Sequence, residues 1–278
     1  MLSFGRGLSA LLPLLLWGSI AMAEPPAAKV LETQPSQVDP AILSTIFSGT
    51  ETLHYSVSWS GGVKIGDIYM EIRPEKSKQD AYTIAAKVKD YGPLKLIYPV
   101  NDTFRCYVSG PMKLPYRYEV LQKEGYRSDT RRLTLYDQQL RSVKYQRNQE
   151  SPLQFDLNGT VYNEFASFII SRALRFQEGE EILVPTFADK KRREVQVSLI
   201  KKEQRNTLFG SKGTLKIQPK MDFKGLYNKS GDTILWLTDD TCRVPVEIHS
   251  KVAVGSLVAE LVEYANSACT ELEQQPAR

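Results

Sequence analysis

From Thr52 onward the apolar residues of this chain recur at every second position. Leu53, Tyr55, Val57 and Trp59 alternate with His54, Ser56 and Ser58, the period of a half-buried strand. Ser60-Gly61-Gly62 turns the chain. The return run carries Val63 and Ile65, slips at Gly66 and resumes with Ile68, Met70 and Ile72. A one-residue slip at a glycine predicts a β-bulge. Residues 82–88, 103–109, 116–122, 130–136, 140–147, 181–186, 193–200 and 208–218 repeat the pattern, separated by Gly, Pro and Asp turn signals. Residues 231–264 hold the densest alternation and read as three more strands. Up to residue 147 no helix separates successive runs, so these strands pair antiparallel. About twelve such strands do not stay flat, because twist accumulates and the sheet curls.

One stretch breaks the alternation. In residues 161–177 (VYNEFASFIISRALRFQ), Tyr162, Phe165, Ala166, Ile169 and Ala173 fall at helical spacing, and Gly179 supplies a stop. So apolar a helix must bury a face, and the concave side of the sheet is the surface on offer. The expected fold is therefore mostly β. It is one large curved antiparallel sheet or incomplete barrel of about twelve strands, with one long helix packed on its concave side. That helix is either a plug that completes the core or a lid over a pocket. Asp39-Pro40 opens a short helix over residues 41–47, with Asp39 as N-cap.

The first 23 residues read as an export signal. Arg6 is the only early charge, an apolar segment follows over residues 8–20, and Ala21-Met22-Ala23 forms an A-x-A cleavage site. The alternative is an uncleaved anchor. Cleavage after Ala23 places the protein in the periplasm, and no later stretch is apolar enough to span a bilayer. Residues 24–39 lack periodicity and read as a flexible leader. Residues 40–268 form a single β domain, and 269–278 a tail. The formal charge of +4 is mixed in sign and gives no support to nucleic acid as a partner. The basic runs Lys190-Lys191-Arg192-Arg193 and Lys201-Lys202 read as solvated tips that protect strand edges, with attraction to anionic lipid headgroups as the lesser reading.

The inventory for catalysis is thin. Both histidines, His54 and His249, lie on polar faces of strands, and there is no G-x-S-x-G elbow, H-E-x-x-H or Gly-rich phosphate loop. No metal or cofactor is expected. Asp239, Asp240 and Arg243 form the densest polar cluster. They either stabilise a turn or act as a paired acid and base. Of the three cysteines, Cys106 reads as a small buried hydrophobe. Cys242 and Cys269 flank the last hairpin at a separation compatible with a disulfide. The irregular stretch 91–101 keeps Leu94, Leu96, Ile97 and Tyr98 apolar. It is either a packed loop or a lip at a pocket mouth. With Tyr162 and Phe165 it forms the candidate ligand-binding set.

Three segments resemble an uncharacterised exported bacterial family, domain of unknown function three-one-zero-eight. They are ETLHYSVSWSGGVKIGDIYMEI, YNEFASFIISRALRFQEGE and ILWLTDDTCRVPVEIHSKVAVGSLVAEL. The last carries the family's pattern as Trp236, Asp240, Arg243-Val244-Pro245-Val246 and Gly255-Ser256. The resemblance implies an exported antiparallel β protein with no established activity and no catalytic residues to carry over. The expected function is a non-enzymatic periplasmic module for an apolar ligand (a lipid or lipoprotein acyl chain) or a cell-envelope partner. The alternatives are a hydrolase using Asp239, Asp240 and Arg243, and a structural envelope interaction protein.

Overall fold

The computed structural model describes residues 29–32, 35–60, 62–92, 95–96, 99–126, 129–188, 190–220, 233–251 and 255–275. The expected export signal lies outside them, as do Leu94, Ile97 and Tyr98. Among the described residues, no helix is long and apolar enough to cross a membrane.

In chain order the strands are β1 (Lys29–Glu32), β2 (Glu51–Trp59), β3 (Val63–Pro74), β4 (Ala81–Asp90), β5 (Asn101–Ser109), β6 (Leu114–Gln122), β7 (Thr130–Asp137), β8 (Ser142–Arg147) and β9 (Leu153–Asp156). They continue with β10 (Glu180–Ala188), β11 (Lys191–Thr207), β12 (Gly210–Lys220), β13 (Thr233–Thr238), β14 (Pro245–Lys251) and β15 (Ser256–Asn266). The α-helices among the described residues include α1 (Pro40–Ile46) and α2 (Glu164–Arg172). All fifteen strands form one sheet in the order β1-β10-β11-β12-β13-β14-β15-β2-β3-β4-β5-β6-β7-β8-β9. Fourteen are antiparallel, and β1 adds in parallel to β10. The architecture is the expected open, curved antiparallel sheet. The extra strands are short: β1 and β9 have four residues each, too few to register as alternation.

Packing brings the two ends of the sheet together. Phe187 on β10 lies 5.5 Å from Phe155 on β9 and 6.2 Å from Tyr136 on β7, ring to ring. The segment before α2 zips the seam. Tyr162 N donates to Pro185 O at 2.7 Å and Phe187 N to Tyr162 O at 2.8 Å. On the other side Gln138, in the β7–β8 turn, exchanges hydrogen bonds with the backbone of Val161. This pairing also explains why α2 is shorter than its apolar periodicity suggests. Asn163 takes the N-cap, its Oδ1 accepting Ala166 N at 2.8 Å. Residues 161–162 pair as strand, and Leu174 bridges Val38.

Part of the expected leader is structured. It supplies β1, a 3-10 turn at Pro35–Gln37 and the buried Val38. The physical reason is the open edge of β10, whose backbone groups need partners. At the other terminus Cys269 and Leu272 are buried, and Gln275 N donates to Leu208 O at 2.8 Å. Packing therefore continues past residue 268. At α1 the Asp39 carboxylate accepts from Ala41 N and Ile42 N.

The core lies on the concave side. Tyr55, Ile72, Ile84, Phe104, Cys106 and Val120 belong to one buried core with Ala166, Ile169 and Ile170 of α2. The helix packs into this core with its buried face. The β2–β3 register shifts after Val57↔Gly66, so that Ser58 faces Lys64 and Ile65 is the extra residue of a bulge. A Cβ on Gly66 would sit 2.4 Å from Lys89 O. Gly66→Ala is therefore expected to destabilise by about 1–3 kcal/mol, because a strand backbone must move. The urea midpoint checks this, and an unchanged midpoint would contradict it.

Candidate functional site

Arg172 ends α2 and Glu51 begins β2; both are buried, at 0% and 1% exposure. Arg172 Nη1 donates to Glu51 Oε2 at 2.6 Å and Nη2 to Oε1 at 2.8 Å. Nε donates to Arg243 O at 3.0 Å and Nη2 also to Cys242 O at 3.2 Å. Tyr264 on β15 donates its hydroxyl to Glu51 Oε1 at 3.0 Å. Burial works against the Arg172 charge, but Glu51 outweighs it and raises the guanidinium pKa. Burial, and then Glu51, push the Tyr264 hydroxyl upward as well. A bidentate pair whose donors and acceptors are already engaged has little left for a substrate. It joins a helix, two strands and a turn.

That turn is the Asp239, Asp240 and Arg243 cluster. Asp240 Oδ1 accepts from Thr238 Oγ1 at 2.7 Å and from the backbone N–H groups of Cys242 and Arg243 at 3.0 Å each. Arg243 adopts φ +46°, which turns its carbonyl and that of Cys242 toward Arg172. Asp239 is exposed, 2.9 Å from Lys202 Nζ and 4.0 Å from Arg243 Nη2. One carboxylate is thus engaged by the backbone while the other faces solvent, an arrangement that stabilises the turn. Cys242 is disulfide-bonded to Cys269, with Cα atoms 5.9 Å apart.

The other reactive groups are also engaged. Trp236 Nε1 donates to Glu203 at 2.7 Å, and its ring lies under Arg205 at 4.3 Å and Lys216 at 5.0 Å, with His249 against it at 4.7 Å. Hydrogen bonds from Lys201 and Trp236 hold the Glu203 carboxyl down at about 2. His54 faces Asp67 at 3.0 Å and Glu263 at 3.4 Å, so both ring nitrogens meet carboxylates rather than a nucleophile. Burial pushes the free Cys106 thiol up to about 12.

Open space lies on the convex face. There β5–β8 present two outward rows: Thr103, Leu121 and Arg131, and Arg105, Glu119, Leu133 and Gln146. With Asn148 they border a cleft of about 430 Å³. Leu121 and Leu133 make it partly apolar. Glu119 is engaged by Arg117 Nε at 3.0 Å and Tyr107 at 3.3 Å. Arg105 and Arg131 are exposed, and among the described residues neither has a side-chain partner. Asn148 Oδ1 accepts Arg131 N at 2.8 Å, which orients its amide.

A model for a family described as "Protein of unknown function (DUF3108)" matches residues 54–262. The chain belongs to the DUF3108 family. The span matched to DUF3108 holds Arg172 and the 239–243 turn but stops short of Glu51 and Tyr264. No curated protein matches the chain. The fold of this DUF3108 chain is similar to the crystal structure of a beta-barrel-like protein of domain of unknown function DUF1849 from Brucella abortus. The two share 8% identity at a TM-score of 0.53, over 80% of this chain and 99% of that one. At that identity the likeness concerns the fold alone. A hypothetical protein from Chlamydia trachomatis, CT021, aligns at 9% identity and a TM-score of 0.35, covering 81% and 93% of the two chains.

Other candidate residues of the DUF3108 chain serve packing or face solvent. Tyr162 is 2% exposed and donates its hydroxyl to Met112 O at 3.1 Å. Phe165 packs tilted against Phe104 at 5.0 Å and Tyr118 at 6.2 Å between ring centroids. Both pack into the core, Tyr162 at the seam and Phe165 on α2. Leu96 projects outward, at 78% exposure. The sequence reading missed Glu51, whose partner lies 121 residues away, and missed the cleft. Arg105 and Arg131 fall on polar strand faces like any solvated arginine, so no local signal could have singled them out.

Arg172→Met should cost about 3–5 kcal/mol, because it strands a buried carboxylate. Adding Glu51→Gln should recover part of that loss in urea unfolding, since the stranded charge is gone. A second expectation concerns Asp102, fully buried at the end of β5, with Oδ1 accepting Lys123 N at 2.8 Å. Burial, reinforced by Glu124 and opposed by the Lys123 N–H, raises its carboxyl to about 6, above an unfolded value of about 3.9. The folded chain thus binds the proton more tightly. The stabilisation is present below about pH 4 and lost as pH rises through about 6. Thermal midpoints of wild type should fall over this window relative to Asp102→Asn, which keeps the acceptor and cannot ionise.

Proposed function

We propose that this protein is an exported, non-enzymatic module of the cell envelope that binds an anionic amphiphile. The observation that carries the reading is the convex-face cleft, where Leu121 and Leu133 lie among Arg105, Arg131, Gln146 and Asn148. A guanidinium offers a planar pair of N–H donors to a phosphate or carboxylate, while the leucines take a hydrocarbon segment. The volume of about 430 Å³ falls in the usual range for small-molecule sites, roughly 300–1,000 Å³. The site of a lipid ligand moves from the concave to the convex side, because α2 packs the concave side with Ala166, Ile169 and Ile170.

Export is supported by the signal-like residues 1–23 and by the Cys242–Cys269 bond, since disulfides persist in oxidising compartments. A binding role rather than catalysis is supported by how the reactive groups are used. Asp240 holds a turn, His54 sits between two carboxylates and the Cys106 thiol is raised to about 12.

Titration calorimetry with dodecyl phosphate below its micellar concentration tests the reading, with inorganic phosphate and dodecyl maltoside as comparisons. Dodecyl phosphate should bind more tightly than either. Arg105→Ala with Arg131→Ala should weaken it by at least about tenfold, the scale of one charged hydrogen bond. Equal affinity for inorganic phosphate, or an unaffected double variant, would sink the proposal.

A further inference from the structure

Three neighbouring connections share one end of the sheet: β2–β3, β4–β5 and β6–β7. They are tied to one another. Tyr91 N donates to Ile65 O at 3.0 Å and Gly125 N to Pro99 O at 2.7 Å, while Lys95 N to Gly92 O at 3.2 Å turns the β4–β5 connection on itself. The Tyr126 hydroxyl donates to Leu96 O at 2.7 Å. This end holds three of the most exposed large apolar side chains described: Val63 at 63%, Leu96 at 78% and Tyr126 at 79%. Soluble surfaces carry scattered apolar residues, but a hydrogen-bonded rim that pushes them outward together is different.

The same rim carries exposed lysines beside Glu124, whose carboxylate accepts from Gln122 Nε2 at 2.9 Å. Lys64, Lys89 and Lys95 are exposed there, and among the described residues none of the three has an ion-pair partner. Lys123 is matched by Asp129 at 3.3 Å and adds no net charge. Asp67 is engaged by His54, and Asp90 is half-buried on the inward row opposite Gly66. Aliphatic and tyrosine tips ringed by free lysines match the interfacial zone of a bilayer. There apolar side chains enter the acyl boundary and ammonium groups meet anionic headgroups.

We propose that this rim docks the protein onto an anionic membrane surface. Val63, Leu96 and Tyr126 enter the interface, and Lys64, Lys89 and Lys95 supply the electrostatic attraction. The proposal goes beyond the cleft reading and does not depend on what occupies the cleft.

Co-sedimentation of the mature protein with vesicles tests it, comparing phosphatidylglycerol–phosphatidylcholine mixtures with pure phosphatidylcholine at low salt. Wild type should sediment with the anionic vesicles only. Lys64→Glu with Lys95→Glu should lower the partition coefficient by at least about fivefold for each lysine. Leu96→Asp with Tyr126→Ser should lower it further. Lys76→Glu with Lys78→Glu, in the β3–β4 turn at the opposite end of the sheet, should leave it unchanged. The lysine side chains are exposed, so thermal midpoints of those variants should match wild type and their losses report binding. Leu96→Asp with Tyr126→Ser also removes the Tyr126–Leu96 bond and is compared at a temperature below its own midpoint. Failure of wild type to sediment, equal binding to pure phosphatidylcholine, or an equal loss in the Lys76/Lys78 variant overturns the proposal. Vesicle sedimentation and dodecyl phosphate titration are read separately, so failure of one leaves the other standing.

Discussion

Glu51 and Arg172 meet where water does not reach, and a buried charge pair is tolerable only when its remaining donors and acceptors also find partners. Here the partners come from four places: α2 brings Arg172, β2 brings Glu51, β15 brings Tyr264, and the 239–243 turn brings two carbonyls. Each element is therefore held in position by the same desolvation cost. The turn shows the consequence most directly. Its Arg243 carries φ +46°, a strained region for a side chain, and only that backbone path aims both carbonyls at the guanidinium. Asp240 collects the freed N–H groups and the Cys242–Cys269 bond ties the turn to the chain beyond β15.

Curvature follows from the same need for partners. A sheet of this length twists until its ends approach, and its edge strands must be covered. One end is covered by β1, drawn from a stretch with no periodicity of its own. The seam is closed by residues 161–162 and by the Phe187, Phe155 and Tyr136 rings. α2 packs its buried face into the core of this sheet, and the described cleft lies on the convex face.

The convex cleft and the rim are close in the fold, because Thr103 and Leu121 lie near the ends of β5 and β6 that lead to the rim connections. A protein resting on an anionic surface by Leu96 and Tyr126 would hold Arg105 and Arg131 near the headgroups. The two surfaces use different physics. As proposed, the rim would act through non-specific burial and screened charge, and the cleft through directional hydrogen bonds from exposed guanidinium groups.

The alternation of Leu53, Tyr55, Val57 and Trp59, the slip at Gly66 and the capping Asp39-Pro40 determined local structure by themselves, because period, turn chemistry and capping act over a few residues. So did the overall class, since successive strands without helices between them can pair only antiparallel. Asp240 as a turn residue was also legible, as its carboxylate acts within three residues. The tertiary structure alone decided the rest. Glu51 reads as an ordinary polar strand end until β2 meets α2. Tyr162 reads as helical until the seam claims its backbone. Arg105 and Arg131 read as solvated until four strands place them around two leucines. These are contacts between residues far apart in the chain, whose energies depend on burial and on partners that no local pattern encodes.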